Sequence, residues 1–236
     1  MKTAQILIIG DEILSGRTVD TNSHFLARSL FVRGVRVLRI EVLPDQINFI
    51  SQWVHQNHGL CDFTFICGGI GGTPDDITRQ AVARGLGVPL IRHPVAEKIL
   101  TNYYQERSNA DRMSMADLPE GCELILNPVT QAPGFKIRNI YVFAGIPKIL
   151  YAMFENVKND FAGEPLFEEE LNILVGEGDV AIHMKQINKE FPLLELGSYP
   201  TLENDRGYKT QLVFRSQNKI LVASALKRFK ELAGEK

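Results

Sequence analysis

Cys67-Gly68-Gly69-Ile70-Gly71-Gly72-Thr73-Pro74-Asp75-Asp76-Ile77-Thr78-Arg79 is the stretch from which the rest of the chain can be read. The segment before it, Asp62-Phe63-Thr64-Phe65-Ile66, has the apolar character of a buried strand. After it, Ile77, Ala81, Val82 and Leu86 share one face of a helix. A strand, a glycine-dense turn and a helix N-terminus together seat a phosphate. Glycines let the backbone approach a ligand, and the first helical N–H groups lack partners inside the helix. Asp75 and Asp76 would repel a bare phosphate, yet each can hold Mg²⁺ that bridges one. The competing reading makes Asp75 a helix cap and the glycines a tight turn.

Two common phosphate fingerprints do not account for this turn. A Walker loop ends in Gly-Lys-Ser/Thr, and no lysine stands between Lys2 and Lys98. A Rossmann turn needs Gly-x-Gly-x-x-Gly, and after Gly69-x-Gly71 the third slot holds Pro74. A different anion-binding loop is implied.

Upstream, the chain alternates strand and helix. Gln5 to Ile9 is a continuous apolar run, as in a strand covered on both faces. The loop Gly10-Asp11-Glu12-Ile13-Leu14-Ser15-Gly16 follows, and Asp20-Thr21-Asn22 precedes a helix with Phe25, Leu26 and Leu30 inward. Gly34 ends that helix and Val35 to Val42 is a second strand. Pro44-Asp45, with Asp45 a possible cap, opens a helix carrying Ile47, Ile50, Trp53 and Val54. Loops 10–22, 44–45 and 67–76 thus leave the ends of successive strands. In a parallel α/β sheet those ends share one edge, where ligands bind. Asp11, Glu12, Asp20, Asp45, Asp75 and Asp76 are therefore expected near one another, and such a cluster calls for a cation. Metal-assisted phosphate chemistry follows.

Bulk properties narrow the classes. The chain has 236 residues, 44% of them hydrophobic, ample for one large domain or a medium and a small one. A formal net charge of -2 without a basic block gives no support to nucleic-acid or membrane-surface binding. Three unevenly spaced cysteines, Cys61, Cys67 and Cys122, favour reduced thiols in a cytoplasm. The short apolar stretch near Met1 is too brief for a signal peptide or a membrane span. His24, His55, His58, His93 and His183 form no metal-binding pattern and are expected to be structural or solvated.

From Pro89 the pattern is less regular. A helix is expected from Val95 to Arg107, then a loop from Ser108 to Asp117 containing Arg112. Asn127-Pro128 through Ala132-Pro133-Gly134-Phe135 is a rigid connection. Ala144-Gly145-Ile146-Pro147 follows the strand Ile140-Tyr141-Val142-Phe143 and opens a further helix.

These residues carry a family resemblance. Residues 4 to about 158 resemble the molybdopterin-binding (MoaB/MogA-like) domain. They are most similar to the amino-terminal domain of the competence/damage-inducible protein A (CinA) family and to its equivalent in eukaryotic FAD synthases. The matching elements are Gly10-x-Glu12-x-Leu14-x-Gly16, Asp20-Thr21-Asn22, Gly68-Gly69-Ile70-Gly71-x-Thr73-x-Asp75-Asp76, Ala132-Pro133-Gly134-Phe135 and Gly145-Ile146-Pro147, in the family's order. The resemblance implies a three-layer α/β/α fold with a mostly parallel sheet, in a homo-oligomer, dimer or trimer. In molybdenum-cofactor members it implies binding and adenylylation of a pterin phosphate. In CinA-type members it implies metal-dependent cleavage of a nucleotide diphosphate such as ADP-ribose, and in FAD synthases of FAD. The chain departs from the family pattern at Gly72, where proline is usual and a looser turn is expected. It departs also at Val129-Thr130-Gln131 and at Ser114, a frequent lysine.

The expectation is therefore a cytoplasmic, metal-dependent nucleotide diphosphate hydrolase, releasing AMP from ADP-ribose or FAD. Molybdopterin adenylyltransferase and a non-catalytic pterin- or nucleotide-binding module are the alternatives. Asp76 and Asp45 are the expected catalytic pair, holding Mg²⁺, Mn²⁺ or Co²⁺ with Asp75 or Asp20 in support. Gly10, Glu12, Asn22, Gly68, Gly69, Gly71, Thr73, Gly134, Gly145 and Pro147 are the expected substrate and phosphate contacts. No bound organic cofactor is required.

The molybdopterin-binding-like domain is expected over 1–165. After an acidic connector from Asn159 to Glu170, residues 171–236 read as a small α+β unit. Its βαββα order is strand Leu171–Val175, helix Asp179–Phe191, strands Leu193–Ser198 and Tyr208–Phe214, and helix Asn218–Leu232. Gly176-Glu177-Gly178-Asp179 imitates a Rossmann turn, but its acids would face a pyrophosphate and the unit is too small.

Overall fold

The computed structural model describes residues 1–201 and 207–234, in two compact units, Met1–Gly163 and Glu164–Lys236. Unit one runs β1 (Lys2–Ile9), α1 (Asp11–Leu14), α2 (Asn22–Val32), β2 (Val35–Leu43), α3 (Ile47–Asn57), β3 (Phe63–Cys67) and α4 (Thr78–Leu86). It continues through β4 (Leu90–Arg92), α5 (Pro94–Tyr104), α6 (Ala110–Ser114), β5 (Asp117–Pro119), β6 (Glu123–Ile125), β7 (Gly134–Ile137), β8 (Ile140–Phe143) and α7 (Pro147–Val157). The main sheet has the order β2-β1-β3-β8-β7-β6. Strands β2, β1, β3 and β8 are parallel, and β7 and β6 are antiparallel. Helix α2 packs with α7 and α3 with α4, giving the helical layers of an α/β fold with a mostly parallel sheet.

The apolar runs form the centre because strands covered on both faces cannot alternate polar and apolar residues. Every residue of β3 and β8 is buried. The rings of Phe65 and Phe161 meet edge to face at 5.0 Å, and Phe154 stacks on Phe161 at 5.4 Å. Two polar residues, Gln5 and Thr64, meet inside this core. Gln5, fully buried on β1, donates to Asn57 O and Thr64 Oγ1 and accepts from Arg39 Nε and Nη2. Trp53 is core as expected, with its indole N–H donating to Glu41 at 2.9 Å.

From β1 the chain moves to β2 on one side, and β3 then pairs on the other. The carboxyl ends of β1 and β3 therefore flank the point where strand order reverses, the usual ligand crevice of such sheets.

Two expectations for local structure are corrected. Segment 108–117 is not all loop, because Asn109 Oδ1 accepts the Arg112 N–H at 2.8 Å and caps α6. The acidic connector ends early, since a strand, β9 (Phe167–Ile173), already begins within it. Its glutamates hid the strand from a hydrophobic pattern, yet Glu168 pairs with Arg215 and Glu170 accepts from Gln211 on the neighbouring strand.

Unit two comprises β9 (Phe167–Ile173), α8 (Glu177–Glu190), β10 (Glu195–Pro200), β11 (Thr210–Ser216) and α9 (Lys219–Ala233). Its antiparallel sheet, ordered β10-β11-β9, has a core that includes Ile173, Val180, Ile187, Leu212, Phe214 and Phe229. Asp179 Oδ2 accepts the Gly176 N–H at 3.1 Å, so Gly176-Glu177-Gly178-Asp179 is a helix start and not a dinucleotide turn. Among the described residues no helix is long and apolar enough to cross a membrane.

Candidate functional site

The loops leaving β1, β2, β3 and β8 lie on one edge of unit one. Gly68 and Gly69 open the loop after β3 with φ of +107° and +66°, a region that favours glycine. The Gly68 N–H bonds Phe143 O, and the Thr78 N–H bonds Gly69 O, which ties the turn to β8 and to the start of α4. A Cβ on Gly69 would stand 2.3 Å from Thr78 Oγ1, a buried hydroxyl with no partner among the described residues. Gly145 follows β8, and its carbonyl accepts from Asn22 Nδ2 at 2.6 Å. Asn22 is 7% exposed and its Oδ1 is likewise unpartnered. The turn after β3, the turn after β8 and the start of α2 are thus joined through Gly68, Gly145 and Asn22.

Beside them lies a cleft of about 50 Å³ lined by Glu12, Asp20, Asn22, Cys67, Gly145 and Pro147. Cys67 is among the residues lining the cleft, with a thiol pushed far up first by burial and then by the Asp20 charge. Cys61 and Cys122 are free as well.

The acids share this edge without forming one cage. Asp20 Oδ1 accepts the amides of Asn22 and Ser23 at 2.9 and 3.0 Å, which is helix capping. Asp45 does not cap α3, whose preceding residue Gln46 makes no side-chain bond; Asp45 Oδ2 instead accepts the Asp11 N–H at 2.9 Å. Burial raises the Asp45 carboxyl above its usual 3.8, and the charges of Asp11, Glu12 and Asp75 add to the rise against that hydrogen bond. Asp75 is exposed and does not cap α4, which starts at Thr78 behind Ile77. Asp76 folds back, its Oδ2 accepting Thr73 N–H at 2.9 Å and Thr73 Oγ1 at 2.5 Å. Among the described residues no three His, Cys, Asp or Glu side chains stand close enough to hold one metal ion. The expected gathering of six acids is thus corrected to a looser group around Asp45. Asp20, Asp45 and Asp76 are each drawn toward different donors, the amides of Asn22 and Ser23, the amide of Asp11, and Thr73.

The remaining expected contacts separate by position. Pro147 is the first residue of α7 and borders the cleft. The carboxylate of Glu12 folds over Gly10, where a Cβ would meet it at 2.6 Å. Gly134 is buried in β7 with Val142 O and Met153 occupying the room of a side chain, so the structure gives it a packing role. The Arg112 guanidinium lies over the Tyr104 ring at 4.9 Å with Nη1 bonded to Arg107 O.

Sequence reasoning passed over Thr78 and Arg79. Arg79 is 7% exposed, and its Nη1 has no partner among the described residues. The signal was present, because Arg79, Val82 and Leu86 stand at i, i+3 and i+7 on the buried face.

A glycine turn and helix N-termini at the reversal point of a parallel sheet define a ligand-binding α/β domain of the doubly wound class. Residues 5–163 match the family model described as a probable molybdopterin binding domain, and residues 165–236 that of the FAD synthase middle domain. The chain belongs to the molybdopterin-binding-domain family. It is 30% identical over 231 residues to a protein of Archaeoglobus fulgidus, covering 98% of each chain. It is 29% identical to a probable FAD synthase of Caenorhabditis elegans, over 98% of this chain and 50% of that one. The crystal structure of the protein CinA from Thermoplasma acidophilum superposes with a TM-score of 0.65 at 30% identity, over 69% of this chain and 100% of that one.

Proposed function

We propose that this protein is a metal-dependent hydrolase of nucleotide diphosphates, cleaving ADP-ribose or FAD to AMP and the other phosphate half. The observation that carries the reading is the carboxylate group around Asp45, set beside a glycine turn at the sheet's ligand edge. Asp11, Glu12 and Asp75 all bear on Asp45, an excess of negative charge that a cation relieves. Oxygen-only donors suit a hard ion of the Mg²⁺ type. Such an ion is commonly held by one or two carboxylates and completed by substrate phosphates, so a preformed cage is not required. Asp45 and Asp76 would hold it, with Asp75 or Asp20 in support. The chemistry a divalent ion supplies when bound is neutralisation of phosphate charge and ionisation of a water.

The chain's own residues bind and orient the diphosphate. Backbone N–H groups of the glycine turn and Thr73, with the N-termini of α4 and α7, donate to phosphate oxygens. The cleft lies beside these donors, with Asn22 and Gly145 at its wall. Exposed Leu38 and Ile40 on the edge strand β2 support a homo-oligomer, dimer or trimer, as the working form.

Incubation with ADP-ribose and with FAD, each with Mg²⁺, Mn²⁺ or Co²⁺, is followed by chromatography of AMP. Release of AMP that stops on chelation is the expected result. Folded protein yielding no AMP from either substrate overturns the reading and moves the question to molybdopterin with ATP, or to binding without turnover.

A further inference from the structure

In the free protein one of the residues proposed to hold phosphate, Thr73, is already occupied. Asp76 Oδ2 takes both the N–H and the hydroxyl of Thr73, at 2.9 and 2.5 Å. It lies where a Cβ on Gly71 would come within 2.4 Å of it. Three residues further on, Arg79 is buried, and its Nη1 has no partner among the described residues. A buried unpaired donor on a charged group is costly, and arginine stays protonated. Two carboxylates bear on this guanidinium, Asp76 and Asp117. Asp117 is already bonded by Arg92 at 2.6 Å, whereas the hydrogen bonds of Asp76 among the described residues go to Thr73.

We propose that Asp76 acts as an internal anion in the phosphate seat and that Arg79 is the positioning residue that receives its carboxylate when a substrate phosphate takes over Thr73. The exchange leaves Thr73 N–H and Oγ1 to the ligand and satisfies Nη1. It frees the second carboxylate oxygen of Asp76 to face the edge. The inference rests on the phosphate-binding part of the proposed function and not on hydrolysis.

Binding of inorganic pyrophosphate to the full chain in EDTA, measured by calorimetry, tests it without metal or turnover. Asp76→Asn is expected to bind about tenfold tighter than wild type, because one negative charge leaves the seat. Arg79→Met is expected to bind about tenfold weaker, and in the Asp76→Asn background that loss shrinks to within about twofold. Arg79→Lys keeps the charge and stays within about threefold of wild type, which serves if Arg79→Met fails to fold. Unchanged or weaker binding by Asp76→Asn overturns the internal anion. Equal losses from Arg79→Met in both backgrounds, or a loss from Arg79→Lys as large, overturn the role of Arg79. No pyrophosphate binding by wild type or Asp76→Asn overturns the phosphate seat itself. The expected pattern without AMP release from any substrate overturns the hydrolase alone and leaves this exchange standing.

Discussion

A side chain on Gly72 would place its first carbon 2.6 Å from the carbonyl oxygen of Asp111. The glycine turn therefore leans on the backbone of α6, and a hydrogen is all that fits between them. The looser turn expected from glycine in place of proline is instead one packed against α6.

Gly72→Ala is accordingly expected to lower stability by about 1–3 kcal/mol, the usual cost of forcing extra volume against backbone. Gly59, with nothing within 4 Å of its added carbon, is the control. Gly59→Ala should stay within about 0.5 kcal/mol of wild type. Urea unfolding of the three proteins compares them directly.

Asp45→Asn is expected to stabilise the protein at neutral pH. The unfolded carboxyl ionises near 3.8 and the folded one above it. Between those values the folded state holds the extra proton, so stability falls as pH rises through them, and the penalty is complete above both. Asparagine keeps the oxygen that accepts the Asp11 N–H and carries no charge to repel Asp11, Glu12 and Asp75. Melting curves should show the variant above wild type at pH 7, with the gap closing as pH falls through that window. Saturating Mg²⁺ should raise the wild-type melting point more than the variant's.

Asp76→Asn is expected to cut AMP release from the preferred substrate by at least about 100-fold at saturating metal, with the far-UV circular dichroism unchanged. Undiminished turnover would remove Asp76 from the catalytic group. The same variant's tighter metal-free binding of pyrophosphate makes the two effects opposite in sign, which unfolding cannot mimic.

Arg39→Met is expected to cost about 1–3 kcal/mol, because it leaves the fully buried Gln5 Oε1 without its two guanidinium donors. Chemical denaturation measures it. A cost near zero would mean that water replaces the guanidinium.

The alternation of strand and helix was legible because burial on both faces writes itself as continuous apolar runs, Gln5 to Ile9 and Phe63 to Cys67, and helices as one-sided periodicity. The segments that escaped were those without such a signature. Strands β4, β5 and β6 have three residues each, too few to show a period, and β9 is written largely in glutamate. Helix α6 depends on the Asn109 cap more than on any apolar face.

The sequence by itself determined the class of fold, the glycine turn, the sheet edge where the strand-end loops gather and the order of the second unit. All of these follow from local patterns of apolar residues and glycine. Only the tertiary structure decided what the polar atoms do there. Asp45 reaches across to the Asp11 amide, Asp76 turns back on Thr73, and Arg79 is buried within electrostatic range of Asp117 from β5. A carboxylate's partner is chosen by which donors packing brings within about 3 Å, and residues far apart in the chain set that distance.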